Sequence, residues 1–157
     1  MLVHQYAYFA LSSNQVSAAE ITARLLVDPD EVVIRGSRHA EPARPASHSW
    51  KIVCRKPGLT VEEQITSIVD RLFAHASKIG DVAAELDRID GMPGAAVMQV
   101  MRVFEHSADE AEEPGHSGEA TAKPLEQPSL LGWHLDARTL TFLQLTHAEL
   151  DVDEYAY

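Results

Sequence analysis

Both ends of this 157-residue chain alternate polar and apolar residues at a period of two. That period belongs to a strand, in which successive side chains point to opposite faces of a sheet. The closing segment A-E-L-D-V-D-E-Y-A-Y, Ala148 to Tyr157, sends Leu150 and Val152 one way and Asp151, Asp153 and Tyr155 the other. The opening L-V-H-Q-Y-A-Y-F-A-L sets Val3, Ala7, Phe9 and Leu11 on one side and His4, Tyr6 and Tyr8 on the other. A fold for this chain must therefore seat two terminal strands, each with an apolar side to cover and a polar, aromatic side that can stay wet.

Between the ends, helix and strand patterns alternate. Ser17 and Glu20 form a capping box before I-T-A-R-L-L, and Asp28-Pro29-Asp30 ends that helix, which is expected over Ser17 to Leu26. Val32 to Ile34 and Trp50 to Cys54 read as short strands around a loop whose prolines and small residues exclude regular structure. Thr60 and Glu63 form a second capping box, after which Val61, Ile65, Ile68, Val69, Leu72 and Phe73 recur on one helical face. Ile79, Val82, Ala83, Leu86 and Ile89 repeat the spacing up to Asp90-Gly91. Ala95 to Phe104 is apolar on both sides, the pattern of a strand covered on both faces. Leu131, Trp133 and Leu135 alternate as a further strand, with Asp136 as an N-cap for the next element. The stretch T-L-T-F-L-Q-L-T suits a strand by its β-branched residues and a helix by Leu140 and Leu143.

Charge narrows the partners. Acidic residues outnumber Lys and Arg 24 to 13, a formal net charge of −11 that repels nucleic acid and anionic membrane surfaces. Residues 106–129 hold six acids and one lysine among Ala, Pro, Gly, Ser and His, so this segment is expected to be a mobile insertion within a single domain spanning 1–157. The single cysteine, Cys54, rules out an intrachain disulfide and fits a reducing, cytoplasmic setting. No stretch of about 18 apolar residues suggests a membrane span, and the start of the chain lacks the pattern of a signal peptide.

Several segments together resemble a known family. Y-F-A-L, E-I-T-A-R-L-L-V-D-P-D, I-R-G, H-S-W-K-I, the long amphipathic helical pair and the final L-D-V-D-E-Y are similar to the bacterial domain-of-unknown-function family 4279, over nearly the whole chain except the acidic insertion. The resemblance implies a shared fold and brings no reaction, cofactor or partner. It also favours a helix between Asp136 and Thr146. One position departs: the family pattern has a glycine after the first helix, in L-G-x-x-P, where this chain has Leu26.

The order of elements predicts an α+β fold, a mainly antiparallel sheet with helices on one face. Its start has the ferredoxin-like β-α-β-β-α-β order, and a β-α-β unit extends it. The free face is then expected to carry His4, Tyr6, Tyr8, Lys51, Arg55, His134, Asp151, Asp153 and Tyr155. Within it, Tyr6, Tyr8, Arg55, His134, Asp151, Asp153 and Tyr155 are candidate binding residues. Asp151 and Asp153 lie about 6.6 Å apart along a strand, near enough to share a cation or act as acid and base. Arg35, Arg38, Arg44 and Lys51, with Arg55 and Lys56, concentrate basic charge as a candidate anion patch.

Reaction signatures are missing. The eight histidines show no tight metal-ligand spacing, no nucleophile elbow occurs, and no glycine-rich phosphate loop is present, so neither a metal nor a cofactor is expected. Two classes remain. One is a noncatalytic binding protein whose open sheet face or edge strand holds a protein partner or a second copy of the chain, with no role for nucleic acid or membrane. The other is a small enzyme built on Asp151 and Asp153.

Overall fold

A computed structural model describes residues 2–105 and 132–157; the acidic insertion expected at 106–129 lies outside the described residues. The elements run β1 (Leu2–Ser13), α1 (Ala18–Leu25), β2 (Glu31–Val33), β3 (His48–Cys54), α2 (Val61–Leu72), a 3-10 turn (Phe73–His75), α3 (Ala76–Asp90), β4 (Ala96–Glu105), α4 (Ala137–Thr146) and β5 (Glu149–Ala156). Both capping boxes form. The Glu20 N–H donates to Ser17 Oγ at 3.3 Å, and the Glu63 N–H donates to Thr60 Oγ1 at 3.2 Å. Each Glu carboxylate in turn accepts from the cap's own N–H, so donors that a helix start leaves unpaired are satisfied.

The five strands form one open, mixed and mostly antiparallel sheet in the order β2-β3-β1-β4-β5. The long first strand is central, antiparallel to β3 on one side and to β4 on the other. Only β4 and β5 are parallel, a pairing that needs a crossover, and α4 supplies its helix.

One core lies between the sheet and the helices. From the sheet come Ala7, Phe9 and Leu11 of β1, Trp50, Ile52 and Cys54 of β3, and Ala96, Met98 and Val100 of β4. The helices answer with Ile21 and Leu25, then Ile65, Ile68 and Leu72, then Ile79, Ala83 and Leu86. Each fully buried large side chain contributes about 1.5–3 kcal/mol of apolar transfer free energy. Phe142 of α4 meets Phe9 edge-on at 5.4 Å between ring centres, tying the last helix to the sheet's central strand.

The ambiguous segment after Asp136 is helical. Asp136 Oδ1 accepts from the Thr139 N–H at 2.7 Å, and Thr139, Phe142, Leu143 and Thr146 fall on the buried face. That set follows the 3.6-residue period, while Leu140 is left exposed.

Two expectations are corrected. β4 is not covered on both sides: Ala96, Met98 and Val100 are buried under helices, whereas Val97, Met101 and Val103 are only partly buried on the opposite face. Apolar residues on that side are screened by neighbouring strands rather than by a second layer. Residues 132–136 form no strand, because β5 pairs along β4. Trp133 and Leu135 instead pack against the core, which satisfies their alternation without a ladder.

Candidate functional site

The face away from the helices is where the polar sides of the strands collect. Register places them in rows, since residues directly opposite on neighbouring strands lie about 4.5–5.5 Å apart. One row reads Asp153, Met101 and Tyr6. The next reads Asp151, Gln99, Tyr8 and Val53. A third runs Glu149, Val97, Ala10, Lys51 and Glu31. Tyr155, Val103 and His4 line up beyond the first.

Arg55 follows directly after β3 and continues its outward side, setting its guanidinium 3.9 Å from the centre of the Tyr6 ring. Its Nε donates to Glu31 Oε1 at 3.1 Å, which ties the guanidinium to β2. Lys51 Nζ sits 4.5 Å above the Tyr8 ring. Both contacts have cation–π geometry. The Tyr6 and Tyr8 rings are 6.3 Å apart and inclined by 23°, so the two phenols form one aromatic patch. On the far side, Gln99 Nε2 donates to Asp153 Oδ2 at 3.1 Å.

Burial raises the Tyr8 phenol above its ordinary value, and Tyr6, Asp153 and Asp151 push the same way against Arg55. The hydroxyl is thus held protonated, as a hydrogen-bond donor. Burial likewise lowers Lys51, with Glu31 opposing and Arg55 adding to the effect. A charge is being kept partly dry beside an aromatic ring, an arrangement that packing alone does not require.

The expected face therefore assembles with one exception. Tyr6, Tyr8, Arg55, Asp151, Asp153, Tyr155, His4 and Lys51 share it. His134 does not: its backbone N–H donates to Glu62 Oε1 at 3.1 Å, beside the start of α2. The basic cluster divides. Lys51 and Arg55 belong to the tyrosine face, while Arg35 donates to the Asn14 carbonyl at 2.8 Å, and Arg38 and Arg44 lie on the loop between β2 and β3. Gln99, Met101 and Glu31 were missed as members of the face. Gln99, the one uncharged polar residue between Ala95 and Phe104, was the signal available for β4's outward side.

Cavities among the described residues lie elsewhere. One of about 310 Å³ is lined by Gln5, Thr60, Glu62, Arg102, Trp133 and His134. One of about 160 Å³ sits at the end of β1 by Asp87 and Asp90, and a third of about 30 Å³ adjoins Asp136. Among the described residues, no three His, Cys, Asp or Glu converge as metal ligands, and no helix is long and apolar enough to cross a membrane.

No curated protein and no solved structure matches the chain. The model of the family described as "Domain of unknown function (DUF4279)" matches residues 3–157, so the chain belongs to that family.

Proposed function

We propose that this is a noncatalytic binding protein whose open sheet face, centred on Tyr6 and Tyr8, holds a protein partner or a second copy of the chain. The observation that carries the reading is the partly buried tyrosine pair set between acids on β5 and bases on β3. Tyrosine offers a large contact area at small conformational cost, and interface cores are enriched in aromatic residues within a polar rim. The outer edge of β5 is a poorer docking line. Glu149, Asp151, Asp153 and Glu154 crowd it, and such charge discourages strand addition.

A cytoplasmic setting belongs to the same reading, supported by the single buried thiol of Cys54. The net charge of −11 and the acids on the face argue against nucleic acid as the partner. The test is the double substitution Tyr6→Ala with Tyr8→Ala. It is expected to lower the unfolding midpoint by only a few degrees. Association, followed by sedimentation of the purified chain or by binding to an identified partner, should weaken at least tenfold. Association of unchanged strength would exclude this face.

A further inference from the structure

We infer that the partner of this face is a second copy of the chain, docked sheet to sheet about a twofold axis that runs parallel to the strands between β1 and β4. The inference rests on the tyrosine face being a binding surface and goes on to name what it binds.

Charge order and symmetry together select this partner and this axis. Across the face the sequence of strands is β3, β1, β4, β5, so the boundary between β1 and β4 lies midway between β3 and β5. Each outer strand is one and a half strand spacings from it, about 7 Å. Bases stand on the β3 side with Glu31 of β2 outside them, acids on the β5 side, and tyrosines with Met101 and Val97 between them. A twofold rotation about an axis along the strands exchanges β3 with β5 and β1 with β4, and keeps every row level with itself. Asp153 of each copy then faces Arg55 of the other, and Glu149 faces Lys51. Tyr6 lies over Met101, a favourable aromatic–thioether contact, and the protonated Tyr8 hydroxyl lies over the Gln99 amide.

The other in-plane axis, across the strands, would set the β5 acids of one copy on those of the next. Like charges so placed oppose association, and an oblique axis would cross the strands and break the row-by-row pairing that only the strand-parallel axis keeps. Twofold contacts are self-complementary, so each cross-pair occurs twice. Twisted sheets stacked in this aligned way sit about 10 Å apart, within the combined reach of tyrosine, arginine and aspartate side chains. Four strands by about seven residues project to roughly 450 Å² per copy, about 900 Å² in all, the size of a weak, transient interface. A dimer in the micromolar range is the expected outcome.

Two measurements on the full chain test this. Sedimentation velocity from about 1 to 200 μM should show a monomer–dimer equilibrium. Arg55→Glu and Asp153→Lys, made singly, should each weaken it at least tenfold. The chain carrying both, or an equimolar mixture of the two single variants, should recover it, because each reversed charge again meets its opposite. Recovery also shows that the single variants had not simply misfolded.

The second measurement uses unmodified sequence. Zero-length carbodiimide coupling of a mixture of ¹⁵N-labelled and unlabelled chains should give hybrid-mass crosslinks joining Lys51 to Glu149 or Asp151. Within one chain those strands are three spacings apart, about 14 Å, and the hybrid mass marks the link as intermolecular. A wild-type chain that stays monomeric throughout overturns the second-copy assignment, and if an identified partner still depends on Tyr6 and Tyr8, it does so without touching the reading of the face. A dimer that survives the Tyr6→Ala, Tyr8→Ala chain overturns both. A dimer whose strength ignores the single reversals overturns the axis.

Discussion

At the scale of the residue, Leu26 shows how a position can be read as unusual without its conformation being legible. It ends α1 with φ 58° and ψ 34°, the left-handed conformation that glycine adopts freely and that costs a side-chain-bearing residue about 1–2 kcal/mol. The chain accepts this because the next residue is tied down. Val27 packs against the core, and its carbonyl accepts from Trp50 Nε1 at 3.3 Å. Leu26 itself is 80% exposed, so its side chain gives little back. Leu26→Gly is therefore expected to stabilise the protein by about 0.5–1 kcal/mol, a rise of a few degrees in the thermal midpoint. A lowered midpoint would mean that the leucine has a contact outweighing its backbone strain. That a glycine would be expected here could be read from the resemblance; that Leu26 itself takes the left-handed conformation could not.

Among the elements, the crossing of α3 and α4 turns on Gly80. A Cβ added there would run into the Leu145 carbonyl oxygen, and the His147 ring lies close behind it at 3.4 Å. Alanine at this position gains up to about 1 kcal/mol of helix propensity but must push two helix backbones apart. Gly80→Ala should therefore destabilise the fold by about 1–3 kcal/mol net, read from chemical denaturation. An unchanged or raised midpoint of unfolding would show that α4 can slide at no cost. The amphipathic face of α3 was clear from Ile79, Val82, Ala83 and Leu86. Nothing local distinguished Gly80, because its partner belongs to a helix about 65 residues further along. β4 was misjudged for a related reason: apolar side chains read alike whether a helix or only neighbouring strands cover them.

Over the whole molecule, carboxylates that cap helices or join elements set the acid limit of stability. The Arg71 hydrogen bonds hold Asp30 below its usual 3.8; burial opposes them, and the Val53 N–H reinforces them. This one carboxylate thereby links α2 to β3. Hydrogen bonds from the Ser17 and Thr139 N–H groups likewise lower Glu20 and Asp136 at the two helix caps. Burial alone would raise Glu62, but bonds from backbone N–H groups, His134 among them, outweigh it. Folded values below the unfolded ones mean that these groups stabilise fully above the ordinary 3.8 and 4.5, and that the contribution is lost as pH falls through the folded values. Urea unfolding is thus expected to be insensitive to these groups between about pH 6 and 8 and to weaken below about 4.5. Asp30→Asn should cost on the order of 1 kcal/mol at neutral pH, allowing for screening of a pair that is a third or more exposed, and should cost nothing at the acid end. A penalty that persisted unchanged to low pH would locate the role of Asp30 in its shape rather than its charge.

What the sequence alone determined was local: the two capped helices, the alternation of both terminal strands, the buried side of the first, and the mixed α+β class; the apolar side of the last strand leaves Val152 exposed. Those features arise from residues one to four positions apart, where periodicity and caps act. Which strands are neighbours was decided by the tertiary structure. Backbone ladders are indifferent to side-chain identity, and only collective burial selects one order. The tyrosine patch between bases and acids comes into being through that order and its register, because residues from four separate strands form a single surface when the sheet closes around β1.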